Sequence, residues 1–175
     1  YCKTADLLFF QKIYSRADTF YNRSIDYAEK ERLFDVLADV YEKKANIYTN
    51  FVEPEVSINL LKSALKYATL EEDNNRCENI INQISTNYHS IGHLDSAIVY
   101  FQKAIHLKKT IEDAEGLISD YSALGKLHNE RGDYEEAQQN LIAALKIAEK
   151  EADTFSIITV YSEIGDVYAA QKVWP

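Results

Sequence analysis

His89 and His93 sit four residues apart, the spacing that comes nearest to a metal-ligand pair in this chain. On one continuous helix that spacing would put both rings on one face. Gly92 stands between them at a position that reads as a helix end, so the shared face is lost, and no third ligand falls at metal spacing. His128 lies within an apolar stripe and reads as a packed side chain rather than a general base. Glu135-Glu136 and Glu149-Lys150-Glu151 look like paired carboxylates, but helix neighbours point apart and cannot flank one scissile bond. Cys2 and Cys77 are far apart and have no Cys or His neighbours, which excludes a disulfide framework or a zinc site. No Gly-rich phosphate loop, nucleophile elbow or Cys–His pair is present. The expectation is therefore a chain with no catalytic residues, no metal and no cofactor, whose work lies in binding.

The elements that would position a binding surface are written in a repeat. Ala17, Ser57, Ala97 and Ala137 are 40 residues apart, as are Tyr21, Leu61, Phe101 and Leu141, and as are Ser24, Ala64, Ala104 and Ala144. A fixed period of this size marks stacked supersecondary units. In the copy from Ile118 to Ile157, Tyr121, Leu124, Gly125 and His128 follow the i, i+3, i+4, i+7 pattern of one helix face. Gly132 then suits a left-handed helix end and Asp133 an N-cap. Ala137, Leu141, Ala144, Leu145 and Ala148 form the stripe of a second helix. Asp73, Asp113 and Asp153 share one register position, each as the N-cap of a first helix, here called A. Pro54 suits the first turn of a second helix, called B. Small residues Ala45, Ser85, Gly125 and Gly165 on the A helices face Ala17, Ser57, Ala97 and Ala137 on B, so the helices pack at short range. Gly125 and Gly165 mark places where even a methyl group is too much.

Composition agrees. The chain has 175 residues, 46% of them hydrophobic, which is enough for a real core. Five Gly and two Pro are too few for a β protein with frequent turns. A formal net charge of −9 argues against nucleic acid and against an anionic membrane surface. No run of 18 apolar residues reads as a membrane span.

These motifs resemble the tetratricopeptide repeat. The match runs through Tyr121, Leu124, Gly125, His128, Gly132, Tyr134, Ala137, Leu141 and Ala144, and through Ile81, Ile84, Ser85, Tyr88, Gly92, Leu94, Ala97, Phe101 and Ala104. The last copy matches at Tyr161, Ile164, Gly165 and Tyr168, with Tyr161 expected, like Tyr41, Ile81 and Tyr121, to fill the apolar face of its A helix. The copy from Ala38 to Cys77 has Lys44 where the family has Leu. The unit of 40 is longer than the usual 34 and is similar to a longer-unit branch found in peptide-binding bacterial regulators, motor-protein light chains, spindle-orientation adaptors and the sensory regions of some histidine kinases. The resemblance implies an all-α fold, a right-handed superhelical solenoid of antiparallel helix hairpins with about four and a half repeats. As one array it spans 1–175 in units of approximately 1–37, 38–77, 78–117, 118–157 and a partial 158–175. The chain reads as a fragment of a longer protein, with Val173, Trp174 and Pro175 where a further B helix would open.

The family's A helices line a concave groove. Beside the core stripe of each A helix runs a second, mostly polar stripe, and its candidate groove residues are Asn46, Asn50, Asn82, Thr86, His89, Ser122, Lys126 and Asn129. An Asn amide carries both donor and acceptor and can pair with peptide main chain. Phe9 and Phe10 fall on the same side of the first unit, under an N-terminal helix or as an apolar pocket. Members that hold chaperone tails clamp a carboxylate with Lys at the position of Cys2, Glu42, Asn82, Ser122 and Ser162, where no Lys stands here. The expected function is a protein- or peptide-binding scaffold or adaptor with a protein or extended peptide as partner and no nucleic acid. Membrane association would come only through other parts of the parent chain, and self-association through open array ends. The alternatives are the ligand-responsive sensor segment of a signalling protein, such as a histidine kinase or peptide-sensing regulator, and a structural self-assembly spacer. The expected compartment is the cytoplasm, or the periplasm for a sensor.

Overall fold

The computed structural model describes residues 1–50 and 53–171, Asn50 by its backbone alone. The expectation that residues 173–175 open a further helix lies outside the described residues. The described residues form nine α-helices and no strand. These are α1 (Cys2–Phe10), α2 (Tyr14–Glu31), α3 (Phe34–Asn50), α4 (Pro54–Leu70), α5 (Asn74–Ser90), α6 (Leu94–Ile111), α7 (Ala114–Arg131), α8 (Tyr134–Lys150) and α9 (Thr154–Ala170). The odd-numbered helices are the A helices and the even-numbered ones the B helices. From Phe34 to Asn74, Ala114 and Thr154, A helices start 40 residues apart, and B helices from Tyr14 to Tyr134 keep the same interval. The A helices begin four residues before the unit boundaries drawn from the sequence, directly after their N-caps.

The chain divides into two compact units, residues 1–93 and 94–175. In the first, α1, α2 and α3 pack around Ala5, Ala17, Tyr21, Ala28, Leu37, Val40 and Ile47, with Tyr67 of α4 against them. Tyr41 and Tyr67 stack at 5.9 Å, and Phe34 stacks on Tyr67 at 5.8 Å, along the α3–α4 seam. Burial of its ring, and Glu29 beside its hydroxyl, push Tyr41 up to about 12. Phe9 packs into this core edge-on to Tyr14, whereas Phe10 stands exposed. In the second unit α7, α8 and α9 pack around Ile118, Ala137, Leu141, Ala144, Ala148, Val160 and Val167.

Each junction is built from the chain's own polar groups. Asp73, Asp113 and Asp153 accept the backbone N–H of Arg76, Gly116 and Ser156 at 3.0, 3.0 and 3.1 Å, as the spacing predicts. Gly92 and Gly132 take positive φ of 74° and 90°. The B-to-A junctions contain no glycine. Arg32, Glu72, Glu112 and Ala152, one per repeat, adopt φ between 54° and 57° instead. The N–H of the next residue then donates to the carbonyl five positions before it, as from Asp73 to Ala68 at 3.1 Å and from Asp153 to Ala148 at 2.9 Å.

Three expectations need correction. Asp133 occupies an N-cap position but makes no capping bond. Its carboxylate turns to Arg131 and lies 3.5 Å from His128 Nδ1, and the Arg131 hydrogen bond holds it below the usual carboxylate range. Tyr161 is 55% exposed rather than core, because no described helix covers that face of α9. Gly165, on the same face, has nothing within 4 Å of where a Cβ would stand. Gly125 behaves as expected, since a Cβ there would meet Leu141 Cγ at 2.7 Å. Lys44, in its family Leu position, is held by Asp18 at 3.4 Å and by Asn22, which tie α3 to α2.

Candidate functional site

Within each unit, successive A helices are linked directly, and the links lie beside the polar stripe. Lys43 on α3 bridges Asp39 at 2.9 Å and Asp6 of α1 at 3.2 Å. Burial alone would lower this ammonium, but the two carboxylate hydrogen bonds outweigh it and hold it above the usual lysine range. Cys2 Sγ lies 3.8 Å from Asp39, and burial pushes its thiol up, away from the nucleophilic thiolate. Gln83 on α5 donates to Glu42 on α3 at 3.0 Å, and Arg76 Nη1 donates to the Asp35 carbonyl at 3.1 Å.

Two adjoining depressions run along α3 and α5 and share Asn46. One, of about 350 Å³, is lined by Asn46, Thr49, Asn82, Gln83, Thr86 and Asn87. The other, of about 550 Å³, is ringed by charge from Asp39, Glu42, Lys43, Asp73 and Arg76, with Asn75 and Asn79. The floor of the first is a buried relay in which Asn87 Nδ2 donates to Ser57 Oγ at 3.0 Å, and Ser57 Oγ lies 2.9 Å from Thr49 Oγ1. Asn82 Oδ1 is buried in the cleft wall without a hydrogen-bond partner. An unmade bond of this kind costs about 1–3 kcal/mol, which a ligand N–H can recover.

The structure thus gathers Asn46, Asn82 and Thr86 in one cleft. His89 is exposed on the same helix, while His93 stacks on Tyr88 at 6.2 Å, so the two histidines do not converge. Among the described residues no group of three or more His, Cys, Asp or Glu is placed to hold a metal. The side chain of Asn50 lies outside the described residues. In the second unit Ser122 is buried, Lys126 is exposed and Asn129 is half-buried. His128 is packed. Sequence reasoning missed Gln83, Asn87 and Glu163. Asn87 carried a visible signal, because its register mates Ile47, Leu127 and Val167 are all buried and apolar.

Helix pairs that return every 40 residues, with a polar cleft between the A helices α3 and α5, define a helical-hairpin repeat protein. The chain carries tetratricopeptide repeats, since models of that family match residues 121–152 and 79–110. Compared with curated protein sequences, it has no match. Solved structures share the fold. The apo form of RapI superposes with a TM-score of 0.82 at 20% identity, over 97% of this chain and 47% of that one. BtubC (BKLC) from P. vanneervenii gives 0.75 at 20% identity, over 96% and 70%. Aspartyl phosphate phosphatase F from Bacillus subtilis gives 0.73 at 16% identity, over 98% and 46%. The chain therefore spans less than half the length of two of these three. None of the described helices is long and apolar enough to cross a membrane.

Proposed function

We propose that the chain is a non-catalytic binding module that takes an extended segment of another protein against its A helices, with Asn46, Asn50, Asn82, Thr86, His89, Ser122, Lys126 and Asn129 as contact residues. The observation that carries this reading is the amide-lined α3–α5 cleft with the unpartnered Asn82 oxygen. Side-chain amides present donor and acceptor together, which matches a peptide main chain and needs no particular ligand side chain. The fold shared with larger repeat proteins is consistent with a scaffold role.

The test is selection of binders from a displayed library of random 12-residue peptides, followed by titration of the enriched peptides with the paired variants Asn46→Ala/Asn82→Ala and Thr86→Ala/Asn129→Ala. The reading expects affinity to fall at least about tenfold in one pair while the helical circular dichroism stays unchanged. Enriched peptides that bind every pair as tightly as the parent would remove the assignment.

A further inference from the structure

Glu163 on α9 is the group the binding scheme above leaves unexplained. Its side chain is only 8% exposed, although the residue is ionisable and sits near the end of the described chain. One carboxylate oxygen, Oε1, reaches across to α7 and meets Lys126 Nζ at 2.6 Å. The other, Oε2, is buried and makes no hydrogen bond. The Asn129 Oδ1 atom, one turn from Lys126 on α7, is likewise buried and unpartnered. Two repeats earlier the same register positions carry Asn46, Thr49 and Gln83, which line the α3–α5 cleft. There Gln83 spends its amide on Glu42. In the second unit the equivalent position carries a charge, and half of its bonding capacity is unspent.

Both unspent atoms are acceptors. Two buried acceptors, one of them a carboxylate oxygen, suit a cationic donor group and disfavour carboxylate or phosphate. Asp166, one turn along α9 from Glu163, is exposed and adds negative charge beside it. Lys126 is 57% exposed and rotamer-rich, so it holds Glu163 from the solvent side and can swing away. Its ammonium marks where a cation sits. A guanidinium, with its planar fork of N–H donors, meets the Glu163 carboxylate in two bonds where one ammonium meets it in one.

We infer that the α7–α9 contact at Glu163 is a subsite for a basic side chain, arginine above lysine, of the bound peptide, with Glu163 as its anchor and Lys126 as an internal stand-in that the ligand displaces. This rests on the peptide-binding reading and refines it, giving it a charge preference and making Lys126 a residue that a basic ligand displaces rather than one it contacts. The net charge of −9 favours the same class of partner at long range.

The test uses three dye-labelled, terminally blocked peptides of one backbone, alternating Gly with Arg, Gln or Glu, titrated by fluorescence anisotropy against the whole chain. The Arg peptide should bind most tightly and the Glu peptide least. Glu163→Gln, which keeps the side-chain shape, should weaken the Arg peptide about tenfold and leave the Gln peptide unchanged. Lys126→Gln should tighten the Arg peptide several-fold, the opposite of what loss of a merely structural ion pair would do. Equal binding of all three peptides, or an Arg peptide indifferent to Glu163→Gln and weakened by Lys126→Gln, overturns the inference while leaving the groove reading intact. If none of the three binds, this inference fails, and the groove reading is decided separately by the library selection.

Discussion

Gly125 and Gly165 hold the same register position on α7 and α9, yet substitution should move stability in opposite directions. A Cβ at Gly125 would stand 2.7 Å from Leu141 Cγ and 3.3 Å from the Ala137 carbonyl oxygen, so Gly125→Ala forces the α7–α8 seam apart. Overpacking of that kind costs about 1–3 kcal/mol. At Gly165 the methyl meets nothing, and the gain is helix propensity, up to about 1 kcal/mol. Urea unfolding of the two variants should show one midpoint falling and the other rising, and a fall at both would mean that α9 is covered in solution. A second residue-scale prediction concerns pH. Hydrogen bonds from Ser156, side chain first and backbone second, hold Asp153 below the usual carboxylate range. A carboxylate depressed on folding contributes its stability above its unfolded pKa and loses it as pH falls through the folded one. Asp153→Asn keeps a capping side chain without the titration. Its denaturant midpoint should therefore fall less than the parent's between about pH 6 and about pH 3. The N-caps Asp73, Asp113 and Asp153 were legible because a short acceptor recurs at a fixed distance before each A-helix stripe, whereas Asp133 carried the same signal and Arg131 takes its carboxylate instead. The left-handed residues Arg32, Glu72, Glu112 and Ala152 were not, because tertiary packing imposes that conformation on side chains that do not signal it.

At the scale of elements, the α6–α7 seam departs from its neighbours. Where other repeats pair Ala28 with Val40, Ala68 with Ile80 and Ala148 with Val160, this one buries Lys108 against Asp120. Their side chains are 3% and 4% exposed and their charged atoms lie 2.9 Å apart, with Lys108 also donating to the Gly116 carbonyl at 3.3 Å. Gly116 leaves room for the lysine stem, since a Cβ there would meet Lys108 Cε at 2.7 Å. Desolvating two charges offsets most of their attraction, whereas stranding one is far worse. Lys108→Ala alone should cost about 3–5 kcal/mol, and the double variant Lys108→Ala/Asp120→Val, which restores the pattern of the other repeats, should be neutral or more stable. A double variant as unstable as the single one would show that the ion pair stabilises this seam in its own right. The hairpin pattern was legible because every repeat states it again. The polar exceptions, Lys108 with Asp120 and Asn87 with Ser57, were also written in the register, as the odd residues in otherwise apolar columns. What the columns could not supply was direction, such as Gln83 turning to Glu42 and Glu163 to Lys126, because one-dimensional spacing does not fix which neighbouring helix a long side chain reaches.

At the scale of the whole chain, repetition sets how stability is distributed. Each helix in a repeat array gains most of its burial from its sequence neighbours, so stability approximates a sum of local terms. The two units fit this, because each has its own core, one around Ala17, Tyr21 and Leu37 and the other around Ala137, Leu141 and Val160. Leu61 on α4 and Leu141 on α8 share one register position and are equally buried. Leu→Ala at either should remove about 2–5 kcal/mol from its surroundings, through lost burial and the cavity left behind. If the sum is local, native-state hydrogen exchange of the intact chain should show Leu61→Ala accelerating amides of α3 to α5 far more than those of α8. Leu141→Ala should do the reverse, sparing α2 and α3. A single all-or-none domain would instead lose protection by the same amount in every helix, whichever leucine is cut. The size of the difference between the two profiles measures how far the order of the repeats in sequence becomes an order of opening in the folded protein.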